Sequence, residues 1–536
     1  MTRAPAVRSA LLPTLGRAAL GLSLLATAMP PYRLIAQEGG SAAPGKAVYE
    51  KWCAGCHGDN GDGFGEAAAF MLPRPRDFTR GDYQVRTTAS GELPTDADIR
   101  RIVDDGMPGT AMPGWRERLT PSERADVVAY LKGFSRFFEG ASPEPIAFSG
   151  APGRSAEGIE EGARVYQELE CFRCHGAQGR GDGASAPTLT DDWDVPTRAA
   201  DLSEYWYFNG GGTVEEIYYR LQTGLNGTPM PSFTDVIESG IITEDQLWRL
   251  AQYVRSLGPE REPEVRSVIR ARLADGALPA GPSDSAWEDV EPAYVPMVGQ
   301  IIVAPRWFAP TVDGIWVQAV HDGERVALRL TWNDPSRSPD PDWQEWLDRV
   351  AATMTDADGP VPTTQGPDRV QVQFPQRLSD GMERPYFLGG DSRRPAYVWR
   401  WLSEPDGVEE GLGTGLDRFA PFTGSSAVTH AASFTDGAWT VQYTRALAAA
   451  DTSALAFVAG RAMPIAFYAA DGSNGEGEVR GAVSAWYQLY LDVPTPPSAY
   501  VAPVLVTLLT AGLGVVVIVR AQRRGSRAAS ESTEAS

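Results

Sequence analysis

The stretch EKWCAGCHGDNGDG, Glu50 to Gly63, contains two cysteines separated by two residues and followed directly by a histidine. A CxxC pair is compatible with a thioredoxin-like redox dithiol or with half of a zinc site, and a following His makes covalent haem attachment a third reading. These three chemistries imply different folds and different functions. The rest of the sequence distinguishes between them.

The motif belongs to an internal repeat. GKAVYEKWCAGCHGDNGDGFG begins at Gly45 and GARVYQELECFRCHGAQGRGDG begins at Gly162, with Gly, Val, Tyr, both Cys, His and Gly in the same order. Downstream, GTAMPGW and GTPMPSF each contain a methionine. Met112 follows His57 by 55 residues, and Met230 follows His175 by the same 55 residues. The chain therefore contains a duplicated domain.

Each copy supplies the ligand set of a low-spin c-type haem. CxxCH attaches haem through two thioethers and offers its His to the iron. A Met on the opposite face completes the coordination and suits electron transfer. We predict two covalently bound haem c groups. The predicted attachment residues are Cys53, Cys56, Cys171 and Cys174, and the predicted iron ligands are His57, Met112, His175 and Met230.

The competing interpretations explain fewer residues. A thioredoxin-like site needs an enclosing parallel-strand pattern, whereas Gly/Asp-rich loops surround this motif. A zinc site using both cysteine pairs would close a loop of more than a hundred residues and leave the histidines and methionines unexplained. Either Met could instead be a packing residue. Met107 and Met71 are the competing ligands in the first copy, but neither has a counterpart in the second.

Two segments outside the repeat indicate export and membrane anchoring. Residues 1–36 combine Arg residues, an apolar run and Ala26-Thr27-Ala28, which predicts a signal peptide. Residues 499–519 predict one transmembrane helix, and the Arg-rich tail 520–536 is expected in the cytoplasm. We therefore expect a single-pass bacterial membrane protein whose main domains are periplasmic, with lipid as one partner. The net charge of −21 argues against nucleic acid.

Both copies resemble class I cytochrome c domains, and the tandem is similar to dihaem cytochromes of the cytochrome c4 kind. The resemblance implies two all-α domains, at residues 42–138 and 159–258. Amphipathic spacing predicts that each copy ends in a helix. The apolar faces of these two helices contain Val127, Tyr130, Leu131 and Phe134, then Leu247, Leu250, Tyr253 and Leu257.

After a predicted linker, residues 259–283, the pattern changes to alternation of apolar and polar residues. Asp322-Gly323 and Asp436-Gly437 are hairpin signals between alternating stretches. Further strand candidates begin near Val370, Ala396, Pro464 and Val483. Many short strands separated by turns predict an all-β, antiparallel sandwich over residues 284–493.

This third region resembles the haem-binding domain of the ethylbenzene dehydrogenase-related family, electron-transfer subunits that partner molybdenum enzymes of the dimethyl sulfoxide reductase superfamily. The resemblance implies a b-type haem held by Met and Lys, but this chain has Leu388 and Ala482 there. Its lysines all lie in the first copy. We predict that the region holds no b-type haem. The substitute ligands considered are His321, expected at the surface, with His430, Met354, Met382 and Met463.

The sequence therefore predicts an electron-transfer subunit and not an enzyme. The expected partner is a redox protein or membrane respiratory complex, either a molybdenum enzyme or a quinol-oxidising complex. Dihaem cytochrome c peroxidases also carry two CxxCH motifs, but peroxide chemistry needs an open iron position and both copies here supply a Met. The alternative from another class is a haem-tethered binding or sensing module, in which Trp399 and Trp401 would stack on a carbohydrate.

Overall fold

The computed structural model describes residues 40–354, 358–379, 384–423, 426–449, 453–494 and 498–534. The predicted signal peptide and Met382 lie outside these ranges. Within them, two helical copies precede a β-rich third region, and one long helix follows. Both copies and the third region each have a hydrophobic core of their own.

The helices of the two copies recur in the same order. The first copy contains α1 (Ala42–Trp52), α2 (Ala54–His57), α3 (Asp96–Asp105) and α4 (Pro121–Lys132). The second contains α5 (Ala156–Glu168), α6 (Phe172–His175), α7 (Val214–Thr223), α8 (Thr234–Glu238) and α9 (Glu244–Leu257). The predicted terminal helices are α4 and α9, and both are confirmed, with Val127, Leu131, Leu247 and Leu250 in the cores.

In each copy the first and last helices approach closely at a glycine. A Cβ atom added to Gly45 of α1 would lie 2.0 Å from the carbonyl oxygen of Asp126 in α4. A Cβ atom on Gly162 of α5 would lie 2.1 Å from the carbonyl oxygen of Arg249 in α9. Any larger residue would push these helices apart. The glycine that opens each repeat therefore sets the helix pair that frames the site.

The second copy contains one extra residue before its cysteines. Cys53 follows Tyr49 by four positions, whereas Cys171 follows Tyr166 by five. Glu170 takes up the difference with a φ of 55°. Because of this left-handed conformation, the backbone N–H of Cys171 donates to the carbonyl oxygen of Tyr166. The backbone N–H of Cys53 donates in the same way to the carbonyl oxygen of Tyr49. The two sites therefore start from equivalent points.

The third region is built from fourteen strands among the residues that the structure describes. They are β1 (Val268–Leu273), β2 (Ala293–Pro296), β3 (Val298–Gly299), β4 (Gly314–His321), β5 (Arg325–Asn333), β6 (Arg369–Pro375), β7 (Ala396–Ser403), β8 (Asp406–Gly413), β9 (Phe419–Pro421), β10 (Thr429–Thr435), β11 (Ala438–Ala446), β12 (Ala462–Ala470), β13 (Ala482–Val483) and β14 (Tyr487–Leu491). Both predicted hairpins are confirmed, as β4–β5 and β10–β11.

These strands form two layers that share β12. One layer has the order β10-β11-β5-β4-β1-β14-β12, and the other has the order β12-β6-β7-β8-β9. Residues 462–465 of β12 pair with β14, and residues 466–470 pair with β6. The layers face each other through aromatic side chains, since the rings of Trp401 in β7 and Trp439 in β11 lie 4.8 Å apart.

The structure of this region differs from the expectations in four details. Strand β1 lies inside the predicted linker 259–283 and pairs in parallel with both β14 and β4, so the region is not purely antiparallel. Only Ile269 and Ala271 of β1 are buried, and so short an alternation gives little signal. The region also contains a helix, α10 (Gln344–Thr353). His321 is not at the surface but 1% exposed, because β1 and β5 flank its strand.

The last helix, α11, spans Ser498–Glu534. Its segment Ala499–Arg524 has a mean hydropathy of 2.5. By length and composition this segment is long and apolar enough to cross a membrane. It contains the predicted span 499–519.

Candidate haem sites

Each CxxCH motif lies in a short helical turn. The backbone N–H of His57 donates to the carbonyl oxygen of Cys53 at 2.9 Å, and that of His175 donates to Cys171 at 3.0 Å. These turns are α2 and α6, and they place the cysteine and histidine residues on the wall of one cavity. The spacing that suggested haem attachment therefore has the same local geometry in both copies.

A buried tyrosine supports the end of each turn. The hydroxyl of Tyr49 donates to the carbonyl oxygen of Gly58 at 2.6 Å, and that of Tyr166 donates to Gly176 at 2.6 Å. Both glycines have a φ near 80°, in the left-handed region that favours glycine. The Tyr and the Gly that recur in the sequence repeat thus fix where the chain leaves the His.

The backbone also orients both histidine rings. Nδ1 of His57 donates to the carbonyl oxygen of Arg76 at 3.0 Å, and Nδ1 of His175 donates to that of Ala200 at 2.9 Å. Because a carbonyl can only accept, the proton lies on Nδ1 and Nε2 is left to bind a metal. Burial lowers the pKa of both rings, which favours the neutral form that ligates.

The predicted methionines lie in matching loops. The backbone N–H of Met112 donates to Oγ1 of Thr110 at 3.2 Å, and that of Met230 donates to Thr228 at 3.3 Å. Both methionines line the cavity that contains the histidines. The loops therefore present the two methionines in the same backbone setting.

The competing methionine Met107 corresponds to a leucine, and not to a methionine, in the second copy. The N–H of Met107 donates to the carbonyl oxygen of Met112 at 3.1 Å, and Leu225 makes the same bond to Met230. Met107 thus occupies the position of a leucine in the other copy. Met71 and Met107 both line the cavity as well. Axial ligation by Met112 and Met230 stays a prediction, supported by the repeat.

The thiols do not fit a redox dithiol. Burial raises the pKa of both Cys53 and Cys171 to about 12. An attacking thiol in a dithiol enzyme needs the opposite shift, toward the thiolate. The cysteines are free, and each pair lies in its own copy. Among the described residues, the donors close enough for a metal cluster are carboxylates and not cysteines, which also disfavours a zinc site with four cysteine ligands.

One cavity of about 2200 Å³ connects the two sites. Its volume exceeds the roughly 300–1,000 Å³ of a typical single-ligand pocket. The free thiols, the His Nε2 atoms and the Met residues on its wall fit two covalently attached haems. Haem held in this way supplies one-electron iron chemistry.

The third region forms part of the same cavity wall. No pattern in the sequence predicts this contribution. Met297, Phe308 and Leu388 line the cavity together with both CxxCH motifs. The contacts that hold them there join distant parts of the chain, such as Arg74 Nη2, which donates to the carbonyl oxygen of Thr353 at 3.0 Å. No periodicity or short motif signals such contacts.

The third region lacks the Met and Lys ligands that the family resemblance implies, although its Met297 lines the cavity. Leu388 and Ala482 are both buried, and neither side chain has a donor atom for iron. Of the substitutes, four lie in the described part of the chain and none of these lines the cavity. Met463 lies in the core, and His430 bonds Oδ1 of Asp406 through Nε2 at 3.0 Å. The other two are His321 and Met354, both buried.

The tryptophans considered for carbohydrate stacking are packing residues. Trp399 and Trp401 are both fully buried between the two layers of strands. Nε1 of Trp401 donates to Oδ1 of Asp406 at 2.8 Å. Neither ring is available to a ligand at the surface.

Two family models match the helical copies. Residues 40–131 match the family described as cytochrome c oxidase, cbb3-type, subunit III. Residues 159–258 match the family described as cytochrome c. Two cytochrome c domains imply covalently bound haem c, as predicted. The matches do not extend into the third region, so its relation to the ethylbenzene dehydrogenase-related family stays a resemblance.

Curated relatives are similar over about half of the chain or less. A Haloferax mediterranei protein named as a respiratory nitrate reductase heme subunit is 27% identical over 50% of this chain and 87% of its own length. The dimethylsulfide dehydrogenase subunit gamma of Rhodovulum sulfidophilum is 27% identical over 42% of this chain and 78% of its own. The cbb3-type cytochrome c oxidase subunit CcoP of Azospirillum brasilense is 28% identical over 35% of this chain and 56% of its own length.

Proposed function

We propose that the chain is a membrane-anchored carrier that moves electrons through two haem c groups on the periplasmic side of a bacterial membrane. Residues 42–138 and 159–258 each bind one haem, and residues 499–519 anchor the chain. His57 with Met112, and His175 with Met230, are the proposed axial ligands. The chain is an electron carrier and has no substrate of its own.

The shared cavity is the observation that carries this proposal. Both CxxCH motifs and both candidate methionines lie on its wall. Two haems in one cavity can exchange electrons directly, without a redox group from another subunit. An iron with His and Met ligands changes oxidation state without needing an open position, which suits a relay.

The third region is proposed to dock the chain against a redox partner while it covers the haem cavity. Three relatives, named as subunits of a respiratory nitrate reductase, a dimethylsulfide dehydrogenase and a cbb3-type cytochrome c oxidase, support a respiratory oxidoreductase as the partner. The family resemblance favours a molybdenum enzyme, and a quinol-oxidising complex is the other candidate. The direction of electron flow depends on whether the partner donates electrons to this chain or accepts them from it.

Haem counting and a redox titration test the proposal on the full chain purified from membranes. After acid acetone extraction, two haems per chain should stay attached, and the titration should need two electrons. Cys53→Ala with Cys56→Ala should remove one haem, and Cys171→Ala with Cys174→Ala the other. The proposal is contradicted if the wild-type chain keeps fewer than two haems. It is also contradicted if the reduced chain passes no electrons to, and the oxidised chain takes none from, the respiratory proteins of the membranes.

A further inference from the structure

The two cytochrome domains contact each other through arginines that bond backbone carbonyls. Nη2 of Arg86 donates to the carbonyl oxygen of Thr223 at 2.9 Å. Arg220 donates in the opposite direction, to the carbonyl oxygen of Arg86. Nη2 of Arg76 lies 3.4 Å from the carbonyl oxygen of Asn226. Three guanidinium groups therefore bond backbone carbonyls across this contact.

Two of these arginines have aliphatic counterparts in the repeat. The carbonyl of Arg76 accepts from His57 as that of Ala200 accepts from His175, so the two residues are equivalent. The carbonyl oxygen of Arg220 accepts from the N–H of Gly224 at the end of α7. The carbonyl oxygen of Ile102 accepts in the same way from Gly106 at the end of α3, so Arg220 and Ile102 are equivalent. A cytochrome domain can thus fold without a cation at either position. We therefore look for the role of Arg76 and Arg220 in the contact between the two cytochrome domains.

Both guanidinium groups have carboxylates in their surroundings, Asp82, Asp191 and Asp192 for Arg76 and Asp98 and Glu216 for Arg220, but none of these forms an ion pair with them. In the described part of the chain, the ion pairs within 4 Å include neither Arg76 nor Arg220. Nη1 of Arg76, and Nε and Nη1 of Arg220, are buried without a hydrogen-bond partner. Burial lowers the pKa of both, that of Arg220 to about 10. A buried charge without an ion-pair partner is costly, so binding of an anion in the cavity would explain both residues.

The cavity is where that anion would lie. Arg76 and Arg220 are both on its wall. The wall contains other arginines: Arg173 pairs with Glu170, Arg74 and Arg180 bond the third region, and Arg198 stacks on Trp346 as Arg76 stacks on Trp193. Arg76 and Arg220 differ from them in crossing between the two cytochrome domains while keeping buried N–H groups without a hydrogen-bond partner. Each haem brings two propionate carboxylates into this cavity. Carboxylate is the anion that a planar guanidinium binds best, with two parallel hydrogen bonds.

We propose that Arg76 and Arg220 bind haem propionate carboxylates at the contact between the two cytochrome domains. The proposal rests on the proposed function only in requiring both haems to be attached. Each arginine would then join a haem of the pair to the neighbouring domain. A cation held beside a haem favours the reduced iron, because reduction adds negative charge. Removing it should lower the reduction potential.

Charge-removing variants of the full chain provide the test. In Arg76→Met and Arg220→Met, we expect the reduction equilibrium of at least one haem to shift tenfold toward the oxidised form, about 59 mV for one electron. The matched control is Arg101→Met, since Arg101 crosses the same contact but pairs with Glu216 at 3.2 Å. Its shift should stay below threefold. Haem counting on each variant separates this result from a failure of haem attachment.

Infrared spectroscopy separates carboxylate binding from a general effect of charge. Haem labelled with ¹³C in its propionate carboxyl groups gives bands that can be followed through oxidation and reduction. These bands should move in Arg76→Met and Arg220→Met and stay in place in Arg101→Met. Labelled bands that match the wild type in both variants would overturn the proposal, whatever the potentials. Where a Met variant fails to attach both haems, Arg76→Gln or Arg220→Gln replaces it, and a shift or no shift of its labelled bands is interpreted in the same way.

Discussion

The carbonyl oxygen of Arg76 accepts the Nδ1 proton of His57, while the side chain of the same residue reaches the second cytochrome domain. The equivalent position in the other copy is Ala200, which has no side chain to reach across. The two sites therefore have the same predicted ligands but different surroundings. Because reduction potentials respond to nearby charge, we expect the two haems to titrate at separate potentials.

The axial ligands can be tested one methionine at a time. Ferric haem with a Met ligand shows a weak charge-transfer absorption from sulfur to iron. Replacing Met112 or Met230 by Ala should remove about half of this absorption, and the double variant should remove all of it. Loss of the sulfur ligand should also lower the potential of the affected haem.

Met107→Ala is the matched control, because Met107 lies in the same loop and lines the same cavity. Its spectrum should match the wild type. A band that survives in the double variant would show that the ligand assignment is wrong, and a band lost in Met107→Ala would name the ligand of the first copy.

The proposed membrane topology rests on α11 and the basic residues near its end. Arg520, Arg523 and Arg524 follow the apolar run directly, and such flanks stay cytoplasmic. Protease added to spheroplasts should release a soluble fragment that carries both haems. A tag placed after residue 536 should be protected until the membrane is opened. Release of the tag with both haem domains protected would reverse the orientation.

The sequence predicted most of the local structure, because local patterns encode it. The duplication, the haem motifs, the terminal helices and both hairpins follow from spacing and turn residues. Strand β1 was missed because two buried residues, Ile269 and Ala271, are too few to show alternation. The position of His321 was misjudged because a hairpin turn does not reveal whether its strand is central. The shared cavity depends on contacts between distant segments, such as Arg74 with Thr353.

The third region should contain no b-type haem. Leu388 and Ala482 have no donor atom, and the described substitute ligands lie away from the cavity. Acid acetone removes haem that is not covalently attached, so the extract of the purified full chain should be colourless. The full chain is needed because a fragment starting at Asp284 would lack strand β1 between β14 and β4.

One extractable haem per chain would contradict this prediction. His430→Ala and Met463→Ala would then identify the ligand, since loss of extractable haem in either variant names it. A Met463 variant also removes a fully buried side chain, so its melting temperature must be compared with that of the wild type.

The stability of the third region should fall as pH rises. Oxygen atoms of Asp334, Asp368 and Asp471 lie within 4.8 Å of one another in the core. Burial, with repulsion from Asp471, raises the pKa of Asp368 to about 8 and that of Glu476 to about 7, and burial also raises that of Asp334. A carboxyl group whose pKa is higher in the folded state binds its proton more tightly there. Its contribution is complete below about pH 4 and is lost as pH approaches 8.

Thermal unfolding of the full chain between pH 5 and pH 9 measures this effect. The transition of the third region should move to lower temperature as pH rises, by roughly 2–4 °C for each kcal/mol lost. Asp334→Asn should flatten the dependence, because Oδ2 of Asp334 has no hydrogen-bond partner and can be exchanged for an amide nitrogen. Asp417→Asn, at an exposed side chain, is the control and should keep the wild-type slope. Equal slopes in the wild type and Asp334→Asn would show that the carboxyl cluster does not set the pH dependence.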